Sequence, residues 1–288
     1  PATLSHPSRH PGSKAAVMLS VRLCSRKASS LAFCIVIGLS TTIYSSPARS
    51  ETCVLPSEHA GVTFPIEKLD PDWACRLHAI IDNYTTTSKV GPLRTDFPES
   101  LYRQLLDRPP LVGALIHRMD LGLYKSEARG PGRFWGHDGE GTGGIVQLVY
   151  QDHTSRVYYL EGSHDSRLLP NIAGKAVVLL KMDPMKDADG KEAVNSTMVS
   201  YTKLDNRILS GLLAMLQPLI RGTVSRKLSK GVETVNRLSS LMRQHPDRVL
   251  LKALGPPAFP DDDVAFLKQA LDDLSHSSGA ISSRTTLP

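Results

Sequence analysis

The stretch from Asp205 to His245 most constrains what this chain can fold into. It is the longest helical pattern in the 288 residues, and it directly follows a run of short strand-like segments. Its first half is apolar nearly all round (Ile208, Leu209, Leu212, Leu213, Met215, Leu216, Leu219, Ile220). Its second half carries a cleaner stripe, with Val224, Leu228, Val232, Val235, Leu238, Leu241 and Met242 at steps of three and four. About forty residues at ~1.5 Å each would span ~60 Å if straight. Asp205 can cap the start by accepting from first-turn amides. Pro218 lacks an N–H and crowds the preceding turn, which predicts a kink. A helix greasy along one half needs a concave surface to lie against.

The preceding residues supply one. After Met119 the texture shifts to Gly, Tyr, Val and Thr, with turn signals every eight to twelve residues. Strands are predicted at 121–128, 133–138, 145–151, 156–161, 175–182 and 194–203, with turns at Gly130-Pro131-Gly132, 138–144, 152–155 and 183–191. Asp189-Gly190 in the last is a hairpin signal. Six short strands with hairpin-length turns argue for an antiparallel meander. Ahead of them, Asp70 and Pro71 start a short helix over 71–84. A strand follows at Lys89–Thr95, interrupted by Gly91-Pro92. Two short helices come next, Pro98–Leu106 capped by Asp96 and Leu111–Met119, separated by Pro109-Pro110. Past the long helix, Gly255-Pro256-Pro257 ends the domain. Asp261–Leu274 is amphipathic, with three acids at its positive end, and Ser275–Pro288 reads as disordered.

The formal charge of +6 is misleading. Six of the 34 basic residues and none of the 28 acidic ones precede Glu51, so the remainder is balanced. A phosphate-binding surface on the body has no support from charge, and no nucleic-acid partner is expected. The leader explains the excess. Residues 1–17 read as upstream extension before the first Met. Residues 18–50 read as a secretory signal peptide, basic at Arg22, Arg26 and Lys27, apolar over 31–44, then small and polar, with cleavage near Ser50/Glu51. An export to the periplasm or outside the cell follows; the alternative is an N-terminal membrane anchor. Cys24 and Cys34 leave with the leader. Cys53 and Cys75 remain, in a compartment that permits a disulfide, and either pair or stay as thiols.

Certain segments carry a resemblance: LLDRPPL at 105–111, GRFWGHDGEGTGG at 132–144, VYYLEGSH at 157–164 and YTKLDNRIL at 201–209. With the element order, they make the chain similar to uncharacterised exported bacterial members of the START-like, or SRPBCC, superfamily, which includes polyketide cyclases. The resemblance implies an α+β helix-grip fold. A curved antiparallel sheet of about seven strands wraps the long C-terminal helix, and two short helices follow the first strand. It places that domain at 89–254, behind an extension at 51–88 and before an acidic helix and tail at 255–288. It also implies an apolar cavity between sheet and helix. Alternation puts Ala176, Val178, Leu180 and Met182 on one side of their strand and Val146, Leu148 and Tyr150 on one side of theirs. With Leu212, Met215, Leu216 and Leu219 these form the expected pocket for a hydrophobic small molecule or lipid. The surplus apolar surface could instead fill a solid core, as in a structural or interaction module. It could also face a lipid surface, beside Arg221, Arg226, Lys227 and Lys230.

Catalysis is not assumed. His137, Asp138 and Glu161 are weak candidates for a cyclase- or hydrolase-like site, since acid–base work needs a His and a carboxylate converging on a pocket. Turns select such residues anyway. No metal and no cofactor are expected. The ten His are scattered, without H-E-x-x-H spacing or a Cys/His cluster. The 139–144 glycines lack the Lys-Ser/Thr of a phosphate loop.

Overall fold

The computed structural model describes residues 53–165, 171–188, 190–205 and 213–282, with side chains of the last stretch described from 220 to 276. Two small strands, β1 (Glu58–His59) and β2 (Val62–Thr63), lead into α1 (Pro71–Ile81). The Asp70 carboxylate caps α1, accepting from the amides of Asp72 at 3.0 Å and Trp73 at 3.3 Å. Then come β3 (Thr86–Thr95), α2 (Glu99–Leu106) and α3 (Pro109–Arg118). A meander follows: β4 (Lys125–Ala128), β5 (Arg133–His137), β6 (Thr142–Gln151), β7 (Ser155–His164), β8 (Ile172–Lys186) and β9 (Glu192–Leu204). Three helices close the chain: α4 (Leu213–Gln244), α5 (Pro246–Leu254) and α6 (Asp261–Ser282).

The seven long strands form one antiparallel sheet in the order β3-β9-β8-β7-β6-β5-β4. This is the helix-grip type of α+β arrangement, with two short helices after the first strand and a long C-terminal helix. Pro92, which has no amide to donate, sits on an edge strand. A register shift between Val90 and Leu93 absorbs it, so the strand survives the interruption.

A sheet with one apolar face was expected; both faces are covered. On the inner face, Leu180, Met182 and Val194 pack with α2–α6 in the main core, around Leu105, Leu115, Leu238 and Met242. On the outer face, Val157, Val177, Leu179 and Val199 pack beneath Phe64, Leu77 and Ile80 of the N-terminal segment. The run Ala176–Leu180 is apolar without a break because both sides of its strand are apolar: Val177 and Leu179 are buried on the outer face, and Leu180 on the inner face follows the partly exposed Ala176 and Val178. The segment 53–81 is therefore part of the folded unit. Cys53 and Cys75 are bonded, with Cα atoms 4.9 Å apart, tying the leading coil to α1. His59 adds a buried tie, its Nδ1 3.0 Å from the Tyr201 hydroxyl. Burial holds its pKa below the ordinary histidine value, against a hydrogen bond to Pro56. Closing a loop with sequence separation 22 restrains the unfolded chain by about 3 kcal/mol. Reduction, or Cys53→Ala with Cys75→Ala, is expected to cost about that much in urea denaturation. A loss under ~0.5 kcal/mol would show that the leading coil contributes little.

Two other expectations differ. Asp96 does not cap α2, which starts behind Pro98 without a side-chain cap. Its carboxylate binds Arg94 and Lys191, and its carbonyl accepts from Ser239 and Arg243 of α4. It is a joint between the first strand and the long helix. Nor does the core stop at residue 254. Leu267, Leu271 and Leu274 of α6 are buried in the main cluster, and the helix continues past Leu274 to Ser282. The long helix α4 ends at Gln244, within one residue of the expected His245, and α5 follows from Pro246 as a separate helix, its last carbonyls held by the Arg118 guanidinium. Pro218 lies within α4. Residues 206–212 lie outside the described residues; the Asp205 amide still donates to the Ala173 carbonyl at 3.0 Å, extending the β8–β9 ladder.

Candidate ligand groove

Strand register sorts the inner face into rows. One row reads Phe134, Val146, Leu160, Ala176, Thr202 and Thr86, from β5 across to β3. The next reads Leu148, Tyr158, Val178, Ser200 and Ser88. Each row passes from apolar side chains on β5–β8 to hydroxyls on β9 and β3. Beyond the second row lie Arg156, Leu180 and Met198, where the face meets α2 and closes into the main core.

Tyr158 packs against the main core, but the aliphatic members of these rows and Phe134 do not belong to it. Phe134, Val146, Leu148, Leu160, Ala176 and Val178 are all partly exposed, and none belongs to either hydrophobic cluster. The stripe of α4 changes in the same way. Leu238 and Met242 are fully buried, whereas Ile220, Val224 and Leu228, earlier on the stripe, are partly exposed. An apolar floor and an apolar helix stripe therefore both emerge from the core toward the same end of the fold.

At that end the floor loses its side chains. Gly136, Gly144, Gly162 and Gly174 stand in one register row across four strands. A Cβ on Gly162 would collide with the Gly143 carbonyl oxygen and come 2.9 Å from the Gly144 Cα. At Gly144, Gly162 and Gly174 the neighbouring backbone approaches too closely for any side chain, which is one way a sheet bends sharply. Sequence reasoning missed the row because it placed Gly143 and Gly144 in a turn. The signal was present as glycine in each of four successive strand segments, two of them in β6, and it became visible only with register.

The β5–β6 tip is latched to α4. The Asp138 carboxylate accepts from the amides of Glu140 at 2.8 Å and Thr142 at 2.9 Å, and pairs with Lys227. Glu140 pairs with Lys230 and lies 3.4 Å from Lys227. At the helix's other end, Asn236 and Ser239 donate to carbonyls of Arg94 and Asp96 beside β3. The helix thus bridges β3 at one edge and the β5–β6 tip toward the other. For Asp138, burial pulls the pKa up, but Lys227 and the two amides outweigh it and hold the carboxyl below its usual range. The hydrogen bond from Lys230 does the same for Glu140. A depressed carboxylate stabilises the latch above its ordinary pKa, and that stability is lost as pH falls through the folded value, in the region below about pH 4. Amide chemical shifts of Glu140 and Thr142 are expected to titrate at midpoints below ordinary carboxylate values, and Lys227→Met with Lys230→Met is expected to raise those midpoints. Ordinary midpoints in the unaltered chain would mean that no latch forms in solution.

The residues singled out from sequence are distributed as follows. Val146, Leu148 and Val178 lie in the partly exposed inner-face rows; Leu180 and Met182 share the inner face but are buried in the main core. Tyr150 is on the outer face. The register shifts between Leu148 and Tyr150, so Leu148 pairs with inner-facing Tyr158 and Tyr150 pairs with outer-facing Val157. That bulge reverses a strict alternation, and the Tyr150 hydroxyl donates to Asp152 at 2.9 Å. The side chains of Leu212, Met215, Leu216 and Leu219 lie outside the described residues.

The acid–base candidates do not converge on one another or on the inner-face rows. Glu161 stands on the outer face, accepting from the Tyr159 hydroxyl at 2.8 Å, with Lys175 3.9 Å away. Burial first, then this carboxylate, pushes the Tyr159 hydroxyl up to about 12. His137 is also on the outer face, stacked beside Trp135, its Nδ1 accepting from the Gly139 amide at 2.9 Å. Two strands and one register row separate it from Glu161, on the order of 10 Å. Asp138 is occupied by Lys227.

Among the described residues no group of His, Cys, Asp and Glu could hold a metal ion, and no helix is long and apolar enough to cross a membrane. Two surface depressions of about 430 Å³ each lie elsewhere, one between α3 and α5 at His117, Arg118 and Leu251, the other at Glu99, Pro184 and Ala193.

No family model matches the chain, and no curated protein matches it in sequence. Similar solved structures include a conserved protein from Geobacillus kaustophilus, with TM-score 0.38 and 10% identity over 54% of this chain and 93% of that one. Another is an uncharacterized protein from Rhizobium leguminosarum, with TM-score 0.32 and 14% identity over 54% of this chain and 94% of that one.

Proposed function

We propose that this chain is an exported START-like protein that binds a hydrophobic small molecule, a lipid or polyketide-like compound, between the inner face of its sheet and α4. It performs no chemistry on that ligand. The observation that carries the reading is the pair of inner-face rows in which Phe134, Val146, Leu148, Leu160, Ala176 and Val178 lie outside both cores. Ligand sites of this kind are concave, mostly apolar and flanked by a few polar groups. The scattered positions of His137, Asp138 and Glu161 favour binding over catalysis. The Cys53–Cys75 bond fits an oxidising compartment. Exposed Arg221 and Arg226 near the emergent stripe of α4 suit transient contact with a membrane surface during exchange.

The test is to purify the protein from its native compartment, sequence its N-terminus and identify co-purifying small molecules by mass spectrometry. A start near Glu51 and a bound apolar compound are expected. An intact leader would favour the anchored form. Absence of any apolar compound, with no thermal shift across a panel of fatty acids, phospholipids and aromatic polyketides, would overturn the reading.

A further inference from the structure

We infer that Thr86, Ser88 and Ser200 form a polar subsite at the covered end of the groove, and that the ligand is an amphiphile with an uncharged hydrogen-bonding head. This rests on the groove reading above and specifies its occupant.

These three side chains are only 3%, 3% and 2% exposed, and their hydroxyl oxygens have no hydrogen-bond partner. A single orphaned hydroxyl in a strand is an ordinary defect. Three together are not scattered: Ser88 pairs directly with Ser200, and Thr86 lies one inner-face step along β3, opposite Thr202. They occupy the ends of the same two rows whose other ends are the partly exposed apolar side chains of β5–β8. Each buried hydroxyl without a partner weakens the fold. Such groups persist at sites that receive a ligand or ordered water.

The surroundings select the head. In the ladder, inner-face neighbours of the hydroxyls are Thr202, Val178, Met198 and Val90, none of them charged. Arg156 is the one buried guanidinium, ammonium or carboxylate among the described residues; its terminal nitrogens are held by Asp107 at 2.7 Å and the Arg103 carbonyl at 3.2 Å, where the face closes against α2, and although its Nε has no partner, it stands two strands and one register row from Ser200. A carboxylate or phosphate placed among the hydroxyls would lose its hydration with no cation to offset it. A hydroxyl or carbonyl loses far less, and serine and threonine can donate to it and accept from it. The tail then runs across Val178 and Leu160 toward Phe134. The subsite includes the strand β3, against which α4 packs.

The test compares the full secreted chain with Thr86→Val/Ser88→Ala/Ser200→Ala, and with Ser88→Ala alone should the triple variant fold poorly. Three probes share one tail: 1-decanol, decanoate and decyltrimethylammonium, titrated by calorimetry. The unaltered protein is expected to bind 1-decanol about tenfold tighter than either ion, and the triple variant to lose about tenfold of the 1-decanol affinity. Without ligand the triple variant is expected to melt no lower than the unaltered protein, since it replaces orphaned hydroxyls with apolar groups. Unchanged 1-decanol affinity in the variants, preference for decanoate, or a lowered melting temperature, the mark of hydroxyls already satisfied by structural water, would each overturn the subsite while leaving the groove intact. If none of the three probes binds the unaltered protein, the groove reading itself fails, and the subsite with it.

Discussion

Gly162→Val is expected to abolish the folded state, or to destabilise it by about 4 kcal/mol or more, although it adds an apolar, strand-favouring side chain to a strand. Intrinsic preference argues the other way: glycine weakens strand interiors and valine strengthens them. The backbone decides. Gly162 pairs with Gly144 on one side and Gly174 on the other. A Cβ at 162 meets the Gly143 carbonyl and, at 2.9 Å, the Gly144 Cα, neither of which can rotate away as a side-chain tip could. Relieving the clash requires β6 and β7 to separate where the sheet bends, which breaks their ladder. Gly136→Ala is the control. It stands in the same row, but its nearest neighbour to an added Cβ is the Lys125 carbonyl at 3.9 Å, ordinary contact. That variant is expected to fold with a loss of under ~1 kcal/mol. Far-UV circular dichroism and urea unfolding of the two proteins check the contrast. Equal stability would mean that the row has no part in shaping the sheet.

The same row shows what sequence does and does not disclose. Element order and the antiparallel meander were legible, because hydrophobic runs, turn residues and the Asp70 cap are local signals. The row itself is not local. Four glycines at 136, 144, 162 and 174 become neighbours only once each hairpin's register is known, and register depends on bulges that shift alternation by one. Leu148-Val149-Tyr150 makes the point: strict alternation puts Leu148 and Tyr150 on one face, and one extra residue sends Tyr150 to the other. The second covered face was hidden for a different reason. Val177 and Leu179 alternate with Val178 and Leu180, so a one-faced reading of that strand selects half of its apolar residues and leaves the rest unexplained. An unbroken five-residue apolar run was the available sign that both faces would be apolar. The helices 246–254 and 261–282 contribute to the main core through Val249, Leu267 and Leu274, and their short amphipathic patterns carried no indication of what they would pack against.

Leu238→Ala and Leu148→Ala remove the same atoms from two apolar positions, and the groove reading requires opposite consequences. Leu238 is fully buried in the main cluster, where α4 packs with α3, α5 and α6. Truncating it leaves a cavity in packed surroundings, and about 3–4 kcal/mol of stability is expected to go. Ligand affinity should change little, since nothing at Leu238 reaches the partly exposed floor. Leu148 stands on that floor, outside both clusters. Having kept part of its exposure in the folded state, it has less transfer free energy to lose, about 1 kcal/mol. Its contact with a bound tail is lost in full, and a hydrophobic ligand is expected to bind about fivefold more weakly. Val178→Ala should follow Leu148→Ala in direction, because it neighbours Ser200 in the same row. Urea unfolding and 1-decanol calorimetry on the same three preparations separate the cases. If Leu148→Ala destabilises the fold as severely as Leu238→Ala while leaving binding unchanged, the inner face is a solid core and the ligand, if any, lies elsewhere. If stability and affinity separate as expected, the long helix serves two purposes along its length. Its C-terminal half fastens the sheet to the remaining helices, and its N-terminal half leaves the floor open to a guest.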